Sequence, residues 1–382
     1  MTSKKLKQFM IFLIFILTII TFTIGYRYYQ DNKQDTKYQS IHTNNLKTVM
    51  DKNNPQINGI HQYLEKVNFN GTVAVFERGQ LKLNKGYGFK NFETNEKNRA
   101  DTLYLIGSSQ KFTTGLMLKQ LENEQKINMN EVVNQYLPWF KTSTPITLNQ
   151  LMLHQSGLYK YKASTSYKDL DSAVQSIQRK GIETKFYNKN RYNDANYLVL
   201  SSVIEEVTGK SFSKNFENRL SKPYGLEHTA FFNDETFKKD MAEGYKKDKN
   251  TGEPVKQKPN VLNQYYGAGN LYMTPHDMGK LILTLQNNKL FKDNITAPLL
   301  HESLTPRYPK AYRYGFYSLP NKNRINGGFF GQVFTAYFND DYIVVLGTNY
   351  ENNDVNNEEK IKHIFNKLLK QDRPYNIVGQ RY

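Results

Sequence analysis

Apolar positions alternate with polar ones near both ends of the chain and follow a helical spacing between those ends. Alternation predicts strands, whereas a spacing of three to four residues predicts helices. The predicted strands lie at residues 71–76, 81–89, 312–317, 324–326, 333–339 and 342–348. The predicted helices lie at residues 57–66, 112–122, 148–157, 169–180, 196–207, 275–286 and 361–369. We therefore expect an α/β fold of the α+β type, in which an antiparallel sheet is built from both ends, flanked by terminal helices, and interrupted by a helical lobe.

The N-terminal segment has the pattern of a membrane anchor. An uncharged run from Phe9 to Tyr26 follows three lysines at positions 4, 5 and 7. That run is just long enough to cross a bilayer, and the lysines would hold the N-terminus in the cytoplasm. We expect a basic cytoplasmic segment (1–8), a transmembrane signal anchor (9–26), an extracellular tether (27–55) and a folded domain (56–375). A cleaved signal peptide is the alternative.

Composition excludes several kinds of chemistry. The chain has no cysteine, which excludes disulfides, thiolate catalysis and cysteine-based zinc sites. Its seven histidines form no metal-binding motif, so neither a metal nor another cofactor is indicated. The formal charge of +17 would suit nucleic acid, but an exported domain meets anionic polymers and lipid headgroups instead. We therefore expect no nucleic-acid partner; the oligomeric state stays open.

A serine and a lysine lie three residues apart where an apolar run meets the helix predicted at 112–122. Because this spacing is about one helical turn, Ser108 and Lys111 share a face. A serine hydroxyl needs a base before it can act as a nucleophile. Partial burial and the positive end of the helix would lower the pKa of Lys111 and make it a better base. The pattern is common by chance, however, so it indicates catalysis only if partners exist.

Two further segments contain candidate partners. Tyr192 and Asp194 precede the helix predicted at 196–207, where a tyrosine hydroxyl can relay protons. Ordinary packing of Tyr192 and helix capping by Asp194 are the alternatives. The second segment has glycines that would let a substrate approach a strand edge, although a turn without a ligand would look the same. Its candidate substrate-binding residues are Asn326, Gly328, Gly331 and Val333.

Taken together, these segments resemble the serine beta-lactamase and penicillin-binding-protein superfamily, in particular its class C-like branch. The five matching segments, in order, are Ser108-Ser109-Gln110-Lys111, residues 151–158, Tyr192-Asn193-Asp194, residues 267–278 and Asn326-Gly327-Gly328. The resemblance covers about residues 57 to 370. It implies a beta-lactamase/transpeptidase-like fold with Ser108 at the floor of a cleft, and beta-lactams as candidate ligands.

The resemblance also implies a mechanism. Ser108 would form an acyl-enzyme while Lys111 takes its proton, and Tyr192 would return a proton to the leaving alkoxide. Backbone N–H groups of Ser108 and of the strand near Gly331 and Val333 would stabilise the oxyanion.

Within this branch the chain is similar to the membrane-anchored esterases of Gram-positive bacteria that remove D-alanyl groups from teichoic acids. That likeness implies teichoic acids as substrate, a catalytic domain facing the cell wall and an influence on beta-lactam resistance.

Two positions depart from the pattern of the superfamily. Asp194 stands where asparagine is usual, and Asn326 stands where a basic residue usually binds a substrate carboxylate. Both changes disfavour a substrate with a free carboxylate. Asp194 would pair with the D-alanyl amine, orient Lys111 or act as the deacylation base, and the sequence leaves these roles open. A D,D-carboxypeptidase or beta-lactamase, and a non-catalytic cell-wall binding protein, are the alternative functions.

Overall fold

The computed structural model describes Thr21, residues 46–351 and residues 356–379. Apart from Thr21 and residues 46–55, the predicted cytoplasmic segment, anchor and tether lie outside these described residues. Among the residues that are described, no helix has the length and apolarity needed to span a bilayer. Leu46 begins the compact unit that contains the predicted catalytic domain.

The regular elements of the described chain are numbered here in sequence order. The strands are β1 (Val49–Met50), β2 (Gly71–Glu77), β3 (Gln80–Tyr87), β4 (Phe89–Asn91), β5 (Glu96–Lys97), β6 (Tyr104–Leu105), β7 (Thr229–Phe231), β8 (Tyr245–Lys247), β9 (Pro254–Lys256), β10 (Leu271–Met273), β11 (Glu302–Ser303), β12 (Tyr312–Arg313), β13 (Phe316–Leu319), β14 (Lys322–Phe329), β15 (Gln332–Phe338), β16 (Tyr342–Thr348), β17 (Tyr350–Glu351) and β18 (Ile377–Val378). The helices are α1 (Pro55–Lys66), α2 (Gln110–Asn123), α3 (Leu148–Met152), α4 (Leu170–Lys180), α5 (Asp194–Thr208), α6 (Phe212–Phe216), α7 (Lys222–Tyr224), α8 (Pro275–Gln286), α9 (Asp293–His301) and α10 (Asn357–His363).

Eight strands form one sheet in the order β1-β3-β2-β16-β15-β14-β13-β12, with antiparallel neighbours throughout. The first hairpin meets the last strands at the β2–β16 pair, where Ala74 lies opposite Val345. This pairing confirms the prediction that both ends of the chain build a single antiparallel sheet.

The two faces of the sheet bury different layers because successive strand residues point to opposite sides. Val73 and Val75 belong to the cluster that contains Ile60 of α1 and Ile361 of α10. Ala74 and Phe76 belong to a larger cluster with α2, α5 and α8. The terminal helices therefore cover one face, and the helical lobe covers the other.

Three predicted elements differ from those in the structure, two of them because residues take a left-handed φ. The helix predicted at 148–157 ends at Met152, since His154 has a φ of +56° and Gly157 a φ of +74°. The strand predicted at 312–317 is interrupted by a turn in which Tyr314 and Gly315 have φ values of +44° and +84°. At the C-terminus, α10 continues as a π-helical turn, Ile364–Leu368.

Candidate active site

Ser108 lies in a single 3-10 turn, Gly107–Ser109, that opens α2. Gly107 has a φ of +53°, and a Cβ added there would be 3.0 Å from the carbonyl carbon of Gly328 on β14. Both the left-handed conformation and this close approach require glycine. The turn therefore holds Ser108 directly against β14.

Gln110 fixes the start of α2 to the glycine-rich segment before β10. Its Oε1 accepts the backbone N–H groups of Asn270 (2.7 Å) and Leu271 (3.2 Å), and its Nε2 donates to the Asn270 side chain. One turn later, the Thr114 hydroxyl donates to the carbonyl of Gly267 at 2.8 Å. Since Gln110 is fully buried, these bonds set the position of the residues on either side of it, Ser108 and Lys111.

The ammonium of Lys111 has three hydrogen-bond acceptors. Its Nζ lies 2.7 Å from Asp194 Oδ1, 3.0 Å from Ser108 Oγ and 3.3 Å from the carbonyl of Ala268. An ammonium has three donors and no acceptor, so this arrangement saturates it. In the ground state Lys111 therefore donates a hydrogen bond to Ser108.

The prediction of a lowered Lys111 pKa is wrong. Burial does lower the pKa, as expected, but the adjacent Asp194 carboxylate and then Tyr192 raise it more, so that the pKa lies above its ordinary value of 10.5. Lys111 is only 1% exposed, and charges at close range interact strongly where water is excluded. The partner charge therefore outweighs desolvation.

Asp194 is the first residue of α5, and its neighbour Asn193 supplies the helix cap. Asn193 Oδ1 accepts the N–H of Ala195 at 3.1 Å, and its side-chain amide also donates to the carbonyl of Leu158 at 2.9 Å. The capping role considered for Asp194 therefore belongs to Asn193. The Asp194 carboxylate is 32% exposed, and among the described residues only its Oδ1 has a hydrogen-bond partner.

Tyr192 and an aromatic wall line the site around Asp194. The ring centroid of Tyr192 lies 5.1 Å from Lys111 Nζ, and the residue is 45% exposed. The wall consists of Tyr161, Tyr265 and Phe329, with ring centroids 5.7 and 4.8 Å apart in that order. Burial first, and the nearby Asp194 carboxylate in addition, raises the pKa of Tyr265.

The glycine-containing segment at residues 326–333 contacts the turn of Ser108 through its first half only. A Cβ on Gly327 would lie 2.6 Å from the backbone nitrogen of Ser108, and both Asn326 and Gly328 are exposed. Strand β13 pairs with Lys322, Asn323 and Arg324 alone. In the described part of the chain, no strand pairs with β14 on that side beyond residue 324, so this edge is open beside Ser108.

Gly331 and Val333 are placed differently from the prediction. Gly331 forms the β14–β15 turn with a φ of +78°, and a Cβ there would lie 2.5 Å from the carbonyl oxygen of Tyr245. Val333 pairs with Gly328 on the adjacent strand β15. Residues 327–329 of β14 are therefore better placed than these two to supply the second oxyanion N–H.

Sequence reasoning gave no role to His154, although it lies in the motif at 151–158. The structure buries its side chain, and its ring centroid is 4.4 Å from that of Tyr192. A histidine directly after the apolar run 151–153 was the available signal. No group of three or more His, Asp or Glu side chains among the described residues is arranged to hold a metal ion.

Comparisons with known proteins agree with this geometry. The chain matches the Beta-lactamase family model over residues 59–368. It is 56% identical over 345 residues to a teichoic acid D-alanine hydrolase of Staphylococcus aureus (strain NCTC 8325 / PS 47). The aligned residues cover 90% of this chain and 86% of that protein.

Solved structures give the same grouping. FmtA from Staphylococcus aureus superposes with a TM-score of 0.88 at 55% identity, covering 92% of this chain and 97% of the other. The D-amino acid amidase from Ochrobactrum anthropi SV3, complexed with D-phenylalanine, superposes with a TM-score of 0.70 at 18% identity, over 84% of this chain and all of the other. At that identity the second likeness concerns the fold alone.

Proposed function

The chain belongs to the beta-lactamase family, and from that premise we propose that it is a serine hydrolase that removes D-alanyl esters from teichoic acids. One observation carries the chemistry: Ser108 Oγ, Lys111 Nζ and Asp194 Oδ1 form a hydrogen-bonded row with spacings of 3.0 and 2.7 Å. The substrate class is inferred from the teichoic acid D-alanine hydrolase that is 56% identical to this chain.

Acylation needs a proton acceptor, and a saturated ammonium is not one. We infer that Lys111 passes a proton to Asp194 along their 2.7 Å hydrogen bond as it takes the proton of Ser108. Ser108 Oγ then bonds to the D-alanyl carbonyl carbon, and the carbonyl electron pair moves onto oxygen. Backbone N–H groups of Ser108 and of residues 327–329 stabilise that oxyanion.

The second half of the reaction returns the protons. The bond between the carbonyl carbon and the polymer oxygen breaks, and the leaving alkoxide takes a proton from Tyr192, which regains one from the Lys111–Asp194 pair. A water molecule then attacks the D-alanyl-enzyme and gives its proton to that pair. The bond between the carbonyl carbon and Ser108 Oγ breaks, Ser108 Oγ takes a proton from the Lys111–Asp194 pair, and D-alanine is released. Esters suit this site because their alkoxide leaving group needs less assistance than an amine.

The charges around Ser108 favour a substrate with an amine and no free carboxylate. Asn326 is neutral, and its Oδ1 accepts a hydrogen bond from Thr335 at 2.8 Å. The Asp194 side chain is 32% exposed, and among the described residues only its Oδ1 has a hydrogen-bond partner. We infer that Asp194 orients Lys111 through Oδ1 and attracts the D-alanyl ammonium through Oδ2. For the same reason we expect beta-lactams, which carry a carboxylate, to acylate Ser108 slowly.

The proposed location is the outer face of the cell membrane, where the substrate lies. The uncharged run at 9–26 and the lysines before it support a single anchor with residues 56–375 as the extracellular catalytic domain.

The test compares wild type with Ser108→Ala on D-alanylated lipoteichoic acid. We expect wild type to release D-alanine and to carry a transient D-alanyl adduct on Ser108 by intact mass spectrometry, and Ser108→Ala to do neither. Ser166→Ala, an exposed serine elsewhere in the lobe, is the control. Equal release by Ser108→Ala would contradict an enzymatic role for Ser108. Release from a D-alanyl-D-alanine peptide but not from teichoic acid would favour a D,D-carboxypeptidase.

A further inference from the structure

The side chain of His154 is buried in an unusual backbone position directly behind the candidate active site. It is 2% exposed, and its φ of +56° lies in the left-handed region that residues other than glycine seldom adopt. This conformation ends α3 early and turns the imidazole towards the start of α5. Such local strain is retained where the surrounding contacts fix it.

Hydrogen bonds define which nitrogen of His154 carries the proton. The backbone N–H of Asn193, which can only donate, points at Nδ1 from 3.3 Å, and the Asn196 amide lies 2.9 Å from the same atom. Nδ1 is therefore an acceptor, and the proton is on Nε2, 3.2 Å from the hydroxyl of Tyr312. Tyr312 in turn donates to the Tyr197 hydroxyl at 3.1 Å.

The hydrogen-bonded network of His154 lies next to Tyr192 and Lys111. Ring centroids of His154 and Tyr192 are 4.4 Å apart, and the Tyr192 centroid lies 5.1 Å from Lys111 Nζ. Tyr197 lies 5.8 Å from the same ammonium. Tyr192 therefore lies close to both an imidazole and an ammonium, although nearly half of it is exposed.

The imidazole stays neutral in this environment. The charged and titratable groups that face it are Lys111 from α2, Tyr192 and Tyr197 from around the start of α5, and Tyr312 from β12. Burial, and after it the charge of Lys111, lowers the pKa of His154 to about 3. A second positive charge beside Lys111 is thereby avoided.

We propose that His154 is a positioning residue, a neutral imidazole whose ring holds Tyr192 beside Lys111 and whose Nδ1 anchors the first turn of α5, which carries Asp194. The proposal rests on the proposed function, because it assigns His154 its effect through a tyrosine that transfers a proton during acylation. If His154 were only a core residue, its loss would lower stability without acting through the Tyr192 hydroxyl.

A double-mutant cycle separates these two roles. His154→Asn tolerates the left-handed backbone, and its Oδ1 can still accept the Asn193 N–H, but it loses the ring against Tyr192. Tyr192→Phe keeps the ring and loses the hydroxyl. The measurement is the rate at which a D-alanyl ester of glycerol acylates Ser108, followed by rapid quenching and intact mass spectrometry, because the alkoxide leaving group of this ester needs the proton of Tyr192. Ile361→Val, in the core on the other face of the sheet, controls for lost stability alone.

We expect His154→Asn to slow acylation about 10- to 100-fold with KM within about twofold, since small misplacements of a catalytic group have effects of this size. In the Tyr192→Phe background the same change should cost less than about twofold. Equal losses in both backgrounds would overturn the proposal. Acylation of wild type by this small ester without D-alanine release from teichoic acid would instead count against the proposed function and leave the cycle valid.

Nuclear magnetic resonance tests the same proposal without any activity. In Ser108→Ala, the ¹⁵N shifts of His154 should show a neutral ring protonated at Nε2 from pH 5 to pH 8. His154→Asn in that background should shift the Tyr192 ring signals. A His154 that titrates in this range, or Tyr192 signals that do not move, would overturn the positioning role.

Discussion

At the scale of single residues, the Lys111–Asp194 pair controls where the proton of Ser108 can go. In Asp194→Asn, burial would act on Lys111 without an opposing carboxylate, so we expect its pKa to fall below the ordinary value of 10.5. The acceptor for the relayed proton also disappears, and we expect kcat/KM for D-alanyl esters to drop about 10²- to 10⁴-fold. NMR titration of ¹³C-labelled lysine together with steady-state rates would measure both effects.

The sign of the pH dependence follows from the same pair. The pKa of Lys111 is higher in the folded protein than its ordinary value of 10.5, so protonation of Lys111 stabilises the native state. This stabilisation is complete below pH 10.5 and is lost as the pH rises through the folded-state pKa. Asp194→Asn should therefore reduce stability most at neutral pH and differ least from wild type in strong alkali. Glu124→Gln, which breaks a surface pair with Arg219, is the control. An unchanged Lys111 titration in Asp194→Asn would contradict this account.

At the scale of elements, the close packing of β14 on the Ser108 turn predicts opposite outcomes for adjacent glycines. A Cβ on Gly327 would lie 2.3 Å from both the carbonyl oxygen of Ile106 and the nitrogen of Ser109, whereas a Cβ on Gly328 meets nothing closer than 3.6 Å. Backbone contacts cannot relax as side chains do. Gly327→Ala should therefore lower the free energy of unfolding by about 1–3 kcal/mol and slow the acylation of Ser108 about 100-fold or more.

Gly328→Ala is the matched control for stability. We expect its melting temperature to equal that of wild type, while its added methyl group on the exposed strand edge raises KM for the polymer. Thermal unfolding and the rate of Ser108 acylation would be measured for both variants. Similar melting temperatures for the two alanine variants would show that the Gly327 contact is not rigid.

The elements also show how far the sequence alone leads. Short apolar runs, together with alternation in residues 81–89, were sufficient to predict the strands of the 71–89 hairpin and β16. The β2–β16 pair, however, joins residues 265 to 277 positions apart, and only the antiparallel architecture suggested it. The ordered motifs indicated that Lys111 and Asp194 belong to one site. Their separation of 2.7 Å, and the pKa that results, depend on a contact between two helices that local patterns do not encode.

The different packing of the two glycines Gly327 and Gly331 has a similar explanation. Gly331 and Gly327 are both glycines in a strand-edge segment, and sequence cannot tell which packs on Ser108 and which packs on Tyr245. Likewise, the left-handed φ of His154 has no local signal such as glycine or asparagine. Tertiary contacts select both conformations.

At the scale of the whole molecule, the sheet and the helical lobe meet at Ser108, and the chain carries a formal charge of +17. A teichoic acid is a polymer of polyol phosphates with many negative charges, so its attraction to a basic protein includes a long-range term that a small neutral ester does not share. That term acts through exposed charges, and salt screens it over about 8 Å at physiological ionic strength and about 3 Å at 1 M.

We therefore expect KM for D-alanylated lipoteichoic acid to rise at least about tenfold between 0.05 and 1 M NaCl, with little change in kcat, because screening weakens binding of the polymer and leaves the buried Lys111–Asp194 pair intact. Hydrolysis of p-nitrophenyl acetate by the same enzyme should vary by less than about twofold over that range. A parallel loss for both esters would mean that salt acts on the site itself, and a KM for the polymer that is independent of salt would show that the basic surface does not bind the phosphate chain.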